Sequence, residues 1–149
     1  MKKILVITTG GTIAMKKDRE TGGLIPAVSG KDLAADVPGL AHYADLDVLE
    51  FSNKPSGWMT AADMFELSKL IDCLADTDQA DGFVITHGTD TLEETAFFLE
   101  AVLKTEKPVC VTGAMRGASA LSADGPANIL AAVRTAASGE SIGKGVTVC

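Results

Sequence analysis

Short apolar runs alternate with longer amphipathic or polar segments along most of the chain. Runs at residues 2–8, 45–51, 82–86, 108–112 and 145–149 each have the length of a β-strand. Several are apolar at consecutive positions, which is typical of strands buried on both faces of a sheet. The pattern therefore predicts strands separated by crossover connections.

Helical patterns lie between three pairs of these runs. Thr60 with Asp63 resembles a capping box and predicts a helix to about residue 74. Its predicted apolar side consists of Phe65, Leu67, Leu70, Ile71 and Leu74. Thr91 with Glu94 predicts a full capping box and a helix to about residue 103. A third helix begins at Asp124-Gly125-Pro126, with proline near its first turn.

The remaining segments have weaker patterns. Residues 15–23 are charged and end in glycine, so we predict a mobile loop. Ser29 is a candidate cap for a short helix over residues 31–37, which Pro38 would end. Residues 138–144 are predicted to form a turn.

The alternation of strands and helices predicts an α/β protein. We expect a doubly wound, Rossmann-like, mostly parallel sheet with helices on both faces. In such sheets, ligands bind outside the carboxyl ends of the strands. Polar residues directly after the predicted strands are therefore the candidates for a functional site.

Composition narrows the possible partners. The chain has 149 residues, 46% of them hydrophobic and 22% charged, which suits one soluble domain. The net charge of −7 argues against binding to nucleic acid or to an anionic membrane surface. No apolar run reaches the length of a membrane span or of a signal-peptide core. We predict a cytoplasmic protein without nucleic-acid or membrane partners.

The cysteine and histidine residues do not indicate a metal site. Cys73, Cys110 and Cys149 are widely spaced, and the first two lie in apolar segments, which predicts buried thiols in a reducing compartment. The two histidines, His42 and His87, form no cluster with metal-ligand spacing. We predict no metal or cofactor.

Two threonine-bearing turns follow predicted strands and are the candidates for chemistry. Residues 9–14 (TGGTIA) contain Thr12, and residues 86–91 (THGTDT) contain Thr89 and Asp90. Both turns lie at carboxyl ends of strands and could face one pocket. From the residues alone, Thr12 capping its own glycine turn and an Asx-type turn at Asp90 are common alternatives.

At these turns the chain resembles the bacterial-type L-asparaginases and related glutaminase-asparaginases. The matching blocks are residues 9–14, residues 86–95 (THGTDTLEET) and residues 113–116 (GAMR), with SADGP at 122–126 and Asn128 after them. The resemblance covers about the whole chain. It implies a homo-oligomeric amidohydrolase without a cofactor, which converts L-asparagine to L-aspartate and ammonia. L-glutamine and D-asparagine are further candidate substrates.

The resemblance also implies roles for individual residues. Thr12 is the expected nucleophile, and Thr89 and Asp90 belong to a second catalytic group with a lysine that lies downstream in the family. The expected substrate-binding residues are Gly11, Ser56, Gly57, Gly88, Thr89 and Asp90. A carboxylate such as Asp90 can bind the ammonium group of an amino acid.

The chain departs from the family pattern at several places. Gly57 stands where the family usually has glutamine, and the loop up to Pro26 contains no lid tyrosine. Tyr43 is better explained by packing, and Lys144, in a glycine turn, does not match the family lysine. These 149 residues correspond to the N-terminal α/β domain, without the family's smaller C-terminal domain. We therefore expect this chain to be impaired as an enzyme and to self-associate.

Other functions remain alternatives. The chain could be a catalytically inactive amino-acid-binding or assembly fragment of an asparaginase. A nucleotide-binding domain is disfavoured because Gly10-Gly11 lacks the third glycine of G-x-G-x-x-G. His87 invites a general-base interpretation, but a structural hydrogen bond to backbone is the better prediction. Arg116 could bind an anion or hold its own loop.

Overall fold

The computed structural model describes residues 1–10, 13, 15–17, 22, 24–26, 37, 39–117 and 120–149. The predicted helix at 31–37 lies outside these residues except for Val37, so it stays a prediction.

The elements follow the predicted alternation of strands and helices. The strands are β1 (Lys3–Thr8), β2 (Met15–Lys17), β3 (Leu24–Pro26), β4 (Asp45–Glu50), β5 (Gly82–Thr86), β6 (Val109–Thr112) and β7 (Val146–Val148). The α-helices are α1 (Ala61–Asp76), α2 (Leu92–Val102) and α3 (Gly125–Ala137). Single 3₁₀ turns cover Leu40–His42, Ser56–Trp58 and Gly139–Ser141. No helix among the described residues is long and apolar enough to span a membrane.

The predicted fold class is confirmed. Five strands form one sheet in the order β4-β1-β5-β6-β7, and every neighbouring pair is parallel. The strand order reverses direction beside β1, as in doubly wound folds. Thr8, Thr86 and Thr112 stand at equivalent register positions on the three central strands.

Each face of the sheet carries its own core. Alternate side chains of β1, β5 and β6, such as Ile7, Phe83 and Val111, pack with α1 and α2 on one face. The opposite set, such as Val6 and Val84, packs with α3 and with the segment around Leu40 on the other. Burial on both faces explains why these strands are continuously apolar in sequence.

The predicted loop at residues 15–23 was partly wrong. Met15–Lys17 is a strand that pairs antiparallel with Leu24–Pro26, so this charged segment begins as one arm of a hairpin. The strand was not predicted because two of its three residues are lysines, so the sequence shows no apolar run there.

The buried face of α1 also differs from the prediction. Leu67 and Ile71 are fully buried, but Phe65 is 50% exposed. The helix instead buries Met64 and Ala75, whose positions share a stripe with Leu67 and Ile71. Phe65 lies outside this stripe, and the Lys69 ammonium stacks 5.1 Å from its ring centre.

The two predicted capping boxes had different outcomes. At α1 the box is confirmed: the Asp63 backbone N–H donates to Thr60 Oγ1, and the Thr60 N–H donates to the Asp63 carboxylate. A hydrogen bond from Lys54, with those from Thr60, lowers the pKa of Asp63 to about 2. At α2 the box is wrong, because the Thr91 hydroxyl donates to the Ser56 carbonyl oxygen instead.

The prediction for the thiols was half right. Cys110 is fully buried in β6, and burial raises the pKa of its thiol to about 12. Cys73 is exposed, because it lies on the solvent side of α1 although the segment around it contains Leu70, Ile71 and Leu74. Apolar neighbours do not fix the burial of a helical residue, since consecutive residues of a helix point in different directions.

Candidate active site

The candidate site lies beyond the carboxyl ends of β1, β5 and β6. Because Thr8, Thr86 and Thr112 are in register, the chain leaves these strands at the same level of the sheet. The turns that follow them are therefore neighbours in space. Open parallel sheets bind their ligands at such an edge.

Thr9 fixes the start of the turn after β1. Its backbone N–H and its hydroxyl both donate to the Thr86 carbonyl oxygen, at 3.1 and 3.0 Å. Its own carbonyl oxygen accepts hydrogen bonds from Ser52 Oγ at 2.7 Å and from the Lys54 N–H at 3.1 Å. One buried residue thereby joins the turn after β1 to β5 and to the segment after β4.

Gly10 allows this turn to lie against the neighbouring segment. Its φ is +133°, a conformation that residues with a side chain rarely adopt. A Cβ at Gly10 would overlap the backbone of Lys54. Gly11 and Thr12 lie outside the described residues, but Ile13 is described and is buried.

Ser56 and the turn after β5 are held together by three contacts. The Asp90 N–H donates to Ser56 Oγ at 3.3 Å, and the Thr91 hydroxyl donates to the Ser56 carbonyl oxygen at 2.8 Å. A Cβ at Gly88 would lie only 2.6 Å from Ser56 Oγ. The serine thus sits where any residue other than glycine at position 88 would displace it.

A pocket of about 230 Å³ opens between these turns. It is lined by Ile13, by Pro55 and Ser56, by residues 87–90, and by Ala114. The volume is below the roughly 300–1,000 Å³ of drug-sized sites, so it suits a small metabolite. Four of the candidate residues, Ser56, Gly88, Thr89 and Asp90, therefore share one pocket, and Ile13, the neighbour of Thr12, is part of its wall.

The electrostatic character of the pocket comes from Asp90. Its side chain is exposed, and the described residues place no lysine or arginine nitrogen within 4.0 Å of it. Within the described residues, no group of three His, Cys, Asp or Glu side chains could hold a metal ion. The carboxylate is therefore open to a cationic ligand group.

His87 is a structural residue beneath the turn, and the predicted bond to backbone is confirmed. Its Nδ1 donates to the Gly88 carbonyl oxygen at 2.8 Å, so Nε2 must accept from Thr95 Oγ1, which lies 2.9 Å away. Burial is the main cause that lowers the pKa of this imidazole below its ordinary value, against a smaller opposite effect of Gly88. The ring is thus neutral and both of its nitrogens are occupied.

The turn after β6 is held from α3. The Asp124 carboxylate accepts from the Met115 and Arg116 N–H groups, each at 2.9 Å. Asn128 Nδ2 donates to the Gly113 carbonyl oxygen, also at 2.9 Å. The N–H groups that hold Asp124 lower the pKa of its carboxyl below the ordinary value.

Thr86 carries a hydroxyl without a partner among the described residues. The residue is fully buried at the end of β5, and its Oγ1 forms no hydrogen bond there. The hydroxyl of Thr112, one strand away, donates to the Cys149 carbonyl oxygen at 2.8 Å. Buried polar atoms usually have a partner, so Thr86 is an exception.

The other candidate residues are not among those that line the pocket. Arg116 donates from Nη1 to the Ser122 carbonyl oxygen at 3.3 Å, which holds its own loop. Tyr43 stacks under the Arg134 guanidinium at 5.1 Å. Gly57 is exposed, with no atom within 4 Å of where its Cβ would be. Lys144 lies just before β7, in the segment predicted as a turn.

Two other concavities among the described residues are larger but lie away from these turns. One, of about 380 Å³, follows edge strand β4. The other, of about 460 Å³, lies near Lys107, whose ammonium is occupied by Asp78 and by two carbonyl oxygens. Neither combines an exposed carboxylate with the strand-end turns, so the smaller pocket is the candidate site.

Sequence reasoning missed the residues that hold the turns in place. Thr9, Asp124 and Asn128 form most of the connecting hydrogen bonds, yet none was expected to do so. A signal existed, because a polar residue at the end of a buried strand or at a helix start needs a partner. The identity of that partner depends on strand order, which the sequence does not state.

Comparison with known proteins identifies relatives over the whole chain. The model of the family described as "Asparaginase, N-terminal" matches residues 3–149. L-asparaginase 2-1 of Saccharomyces cerevisiae is 46% identical over 99% of this chain and 41% of its own length. L-asparaginase 2 of Escherichia coli is 42% identical over 99% of this chain and 42% of its own length. The glutaminase-asparaginase of Pseudomonas aeruginosa is 40% identical, also over 99% of this chain and 42% of its own length.

A solved structure agrees with these relatives. A probable cytoplasmic L-asparaginase from Campylobacter jejuni superimposes with a TM-score of 0.85 at 40% sequence identity. The match covers 100% of this chain and 46% of that one. The chain thus spans less than half the length of the proteins it resembles.

The contact between Gly88 and Ser56 gives a first prediction. We expect Gly88→Ala to displace Ser56 and to lower the free energy of unfolding by about 1–3 kcal/mol, because the added methyl group overlaps a buried side chain. Gly57→Ala is the matched control, since that Cβ would meet no atom within 4 Å. Urea unfolding of the three proteins measures the difference. Equal stabilities of the two variants would contradict the packing described here.

The buried His87 gives a second prediction. The folded state holds the imidazole neutral, whereas the unfolded chain binds a proton near the ordinary pKa of 6.5. The free energy of unfolding should therefore fall as the pH is lowered below about 6.5. His87→Gln should remove this part of the pH dependence, and His42→Gln, at an exposed position, should retain it. Unfolding curves at three pH values test this. If the free energy of unfolding of His87→Gln depended on pH as steeply as that of the wild type, the prediction would be wrong.

Proposed function

Since the chain belongs to the asparaginase family, we propose that the protein is an amidohydrolase that converts L-asparagine and water to L-aspartate and ammonia. The observation that carries the proposal is the pocket that Ser56, Gly88 and Asp90 share with Ile13. It combines an exposed carboxylate, a serine hydroxyl and the end of the turn that contains Thr12. The relatives named above are L-asparaginases and a glutaminase-asparaginase.

The proposed reaction uses Thr12 as the nucleophile. Its hydroxyl oxygen attacks the side-chain amide carbon of the substrate, the C–N bond breaks, and ammonia leaves with the proton of the hydroxyl. Water then hydrolyses the acyl-enzyme ester, which releases L-aspartate and restores the threonine. The position of Thr12, one residue before a wall residue of the pocket, supports this role. Gly11 beside it would let the backbone approach the substrate.

The proposed substrate contacts follow from the hydrogen-bond inventory of the pocket. Asp90 binds the substrate ammonium group as a charge-assisted pair. Ser56 Oγ accepts the Asp90 N–H and thereby keeps its hydroxyl proton for the substrate α-carboxylate. Thr89, in the same turn, orients a water molecule or acts as a second catalytic hydroxyl. Gly57 contributes backbone only, so it leaves room at the place where the family usually has glutamine.

A second candidate function is binding without turnover. The chain covers 41–42% of the relatives' length, and the described residues bring no lysine to Thr89 or Asp90. The contacts that hold Ser56 and the turn after β5 are nevertheless complete within the described residues. As a separate polypeptide, these 149 residues would then bind the amino acid or serve in assembly while being impaired in catalysis. We place the protein in the cytoplasm, in line with its similarity to the probable cytoplasmic L-asparaginase of Campylobacter jejuni.

The nucleophile proposal gives a third prediction. In a protein that hydrolyses L-asparagine, Thr12→Ala should lower kcat by about 10³-fold or more, because the variant lacks the attacking hydroxyl. Thr12→Ser should retain a measurable rate, since it keeps a hydroxyl at the same place. Thr77→Ala, an exposed change at the end of α1, is the control for general effects. Ammonia release measures all four proteins.

Three outcomes test these proposals. Near-normal ammonia release by Thr12→Ala would remove this residue from the nucleophile role. Calorimetric binding of L-aspartate by the 149-residue chain, with no ammonia release, would favour the binding function. If the chain releases ammonia within about tenfold of a full-length relative, the impaired-enzyme proposal is wrong.

Exposed apolar side chains give a fourth prediction, that the protein is a homo-oligomer. Trp58 is 72% exposed and Phe97 is 76% exposed, and β7 is an edge strand of the sheet. Exposed aromatic residues and free strand edges favour association. We expect light scattering to give a mass of at least twice that of the monomer, with little change in high salt. A single monomeric species at high concentration would contradict this.

A further inference from the structure

The turn after β6 is connected to both of the other turns of the site. A Cβ at Gly113 would lie 3.1 Å from Thr89 Cγ2 and 3.0 Å from the His87 carbonyl oxygen, so the turn is pressed against the β5 turn. The next residue, Ala114, lines the pocket. Any movement of this turn therefore changes the surroundings of Thr89.

The start of α3 holds that turn by its side chains. The Asp124 carboxylate uses both of its oxygens, Oδ2 for the Met115 N–H and Oδ1 for the Arg116 N–H, each at 2.9 Å. Asn128 Nδ2 donates to the Gly113 carbonyl oxygen and lies 3.4 Å from Asp124 Oδ2. Because both carboxylate oxygens bind the turn, Asp124 forms no side-chain cap on its own helix.

The same helix start also contacts the turn after β1. A Cβ at Gly125 would lie 3.5 Å from Ile13 Cγ1 and 3.7 Å from the Ala114 side chain. Gly125, the residue after Asp124, therefore lies close to two residues that line the pocket, Ile13 and Ala114. A displacement of Asp124 would be transmitted to the residue that follows Thr12 as well as to Thr89.

We propose that Asp124 is a positioning residue for the amidohydrolase site. Its carboxylate, with Asn128, holds the turn of residues 113–116 against Thr89 and so sets the width of the pocket. This inference rests on the proposed function for its ligand, but its geometric part concerns the chain alone. The N–H groups that lower the pKa of Asp124 fit a carboxylate that stays ionised while it holds the turn.

The test compares Asp124→Asn with Asp78→Asn, a loss of the same charge at the opposite end of the sheet. Two-dimensional NMR of the 149-residue chain follows the amide signals of Met115, Arg116 and Thr89, and a titration with L-aspartate gives Kd. We expect Asp124→Asn to move all three signals and to weaken L-aspartate binding by about tenfold, the cost of one charge-assisted hydrogen bond. Asp78→Asn should change none of them.

A second variant keeps the test valid if Asp124→Asn does not fold. Asn128→Ala removes the bond to the Gly113 carbonyl oxygen while alanine favours the helix, so it should fold. It should shift the Thr89 signal in the same direction, with a smaller loss of affinity. In folded variants, unchanged Thr89 signals would overturn the positioning role, even if the Met115 and Arg116 signals move.

The result also separates this inference from the proposed function. If the wild-type chain shows no response to L-aspartate at millimolar concentration, the proposed ligand is wrong for this chain. The positioning role then stands or falls on the Thr89 signal in the two variants. Unchanged affinity in a variant whose Thr89 signal has moved would overturn the claim that the turn sets the width of the pocket.

Discussion

The in-register parallel pairing of β1, β5 and β6 is the constraint on which the site depends. Because Thr8, Thr86 and Thr112 are aligned, the three following turns begin at one level and can share hydrogen bonds. The Thr86 carbonyl oxygen accepts two hydrogen bonds from Thr9, and Gly113 lies close to Thr89. Both arrangements require this alignment. A shift of one residue would move every strand-end side chain to the other face of the sheet.

Most of the fold could be predicted because its three central strands are buried on both faces. Continuous apolar runs located β1, β5 and β6, and interrupted apolar patterns located β4 and β7. All predicted bounds of the sheet strands agree to within one residue. The failures have physical causes. The arm Met15–Lys17 contains two lysines and no apolar run that would indicate a strand. Phe65 lies just outside the narrow buried stripe of its helix.

The turns that form the site could be predicted from the sequence, but the hydrogen bonds that connect them could not. The sequence located Ser56, Gly88 and Asp90 through motifs, and the parallel sheet brings them to one pocket. It indicated a cap at Thr91, whereas that hydroxyl holds Ser56. Local spacing favours the nearest partner, but tertiary packing offered Thr91 a carbonyl oxygen 35 residues away. Such long-range bonds follow from strand order.

The hydroxyl of Thr86 has a consequence for the stability of the sheet beside the candidate site. Among the described residues this hydroxyl has no partner. Valine, which has nearly the same shape as threonine, would avoid the desolvation that such a hydroxyl costs, about 1–3 kcal/mol. Within the described part of the chain, the end of β5 is thus less stable than its packing allows. Natural proteins often keep such suboptimal residues close to their working parts. Thr86 therefore marks the strand end where the fold has retained polarity at the expense of stability.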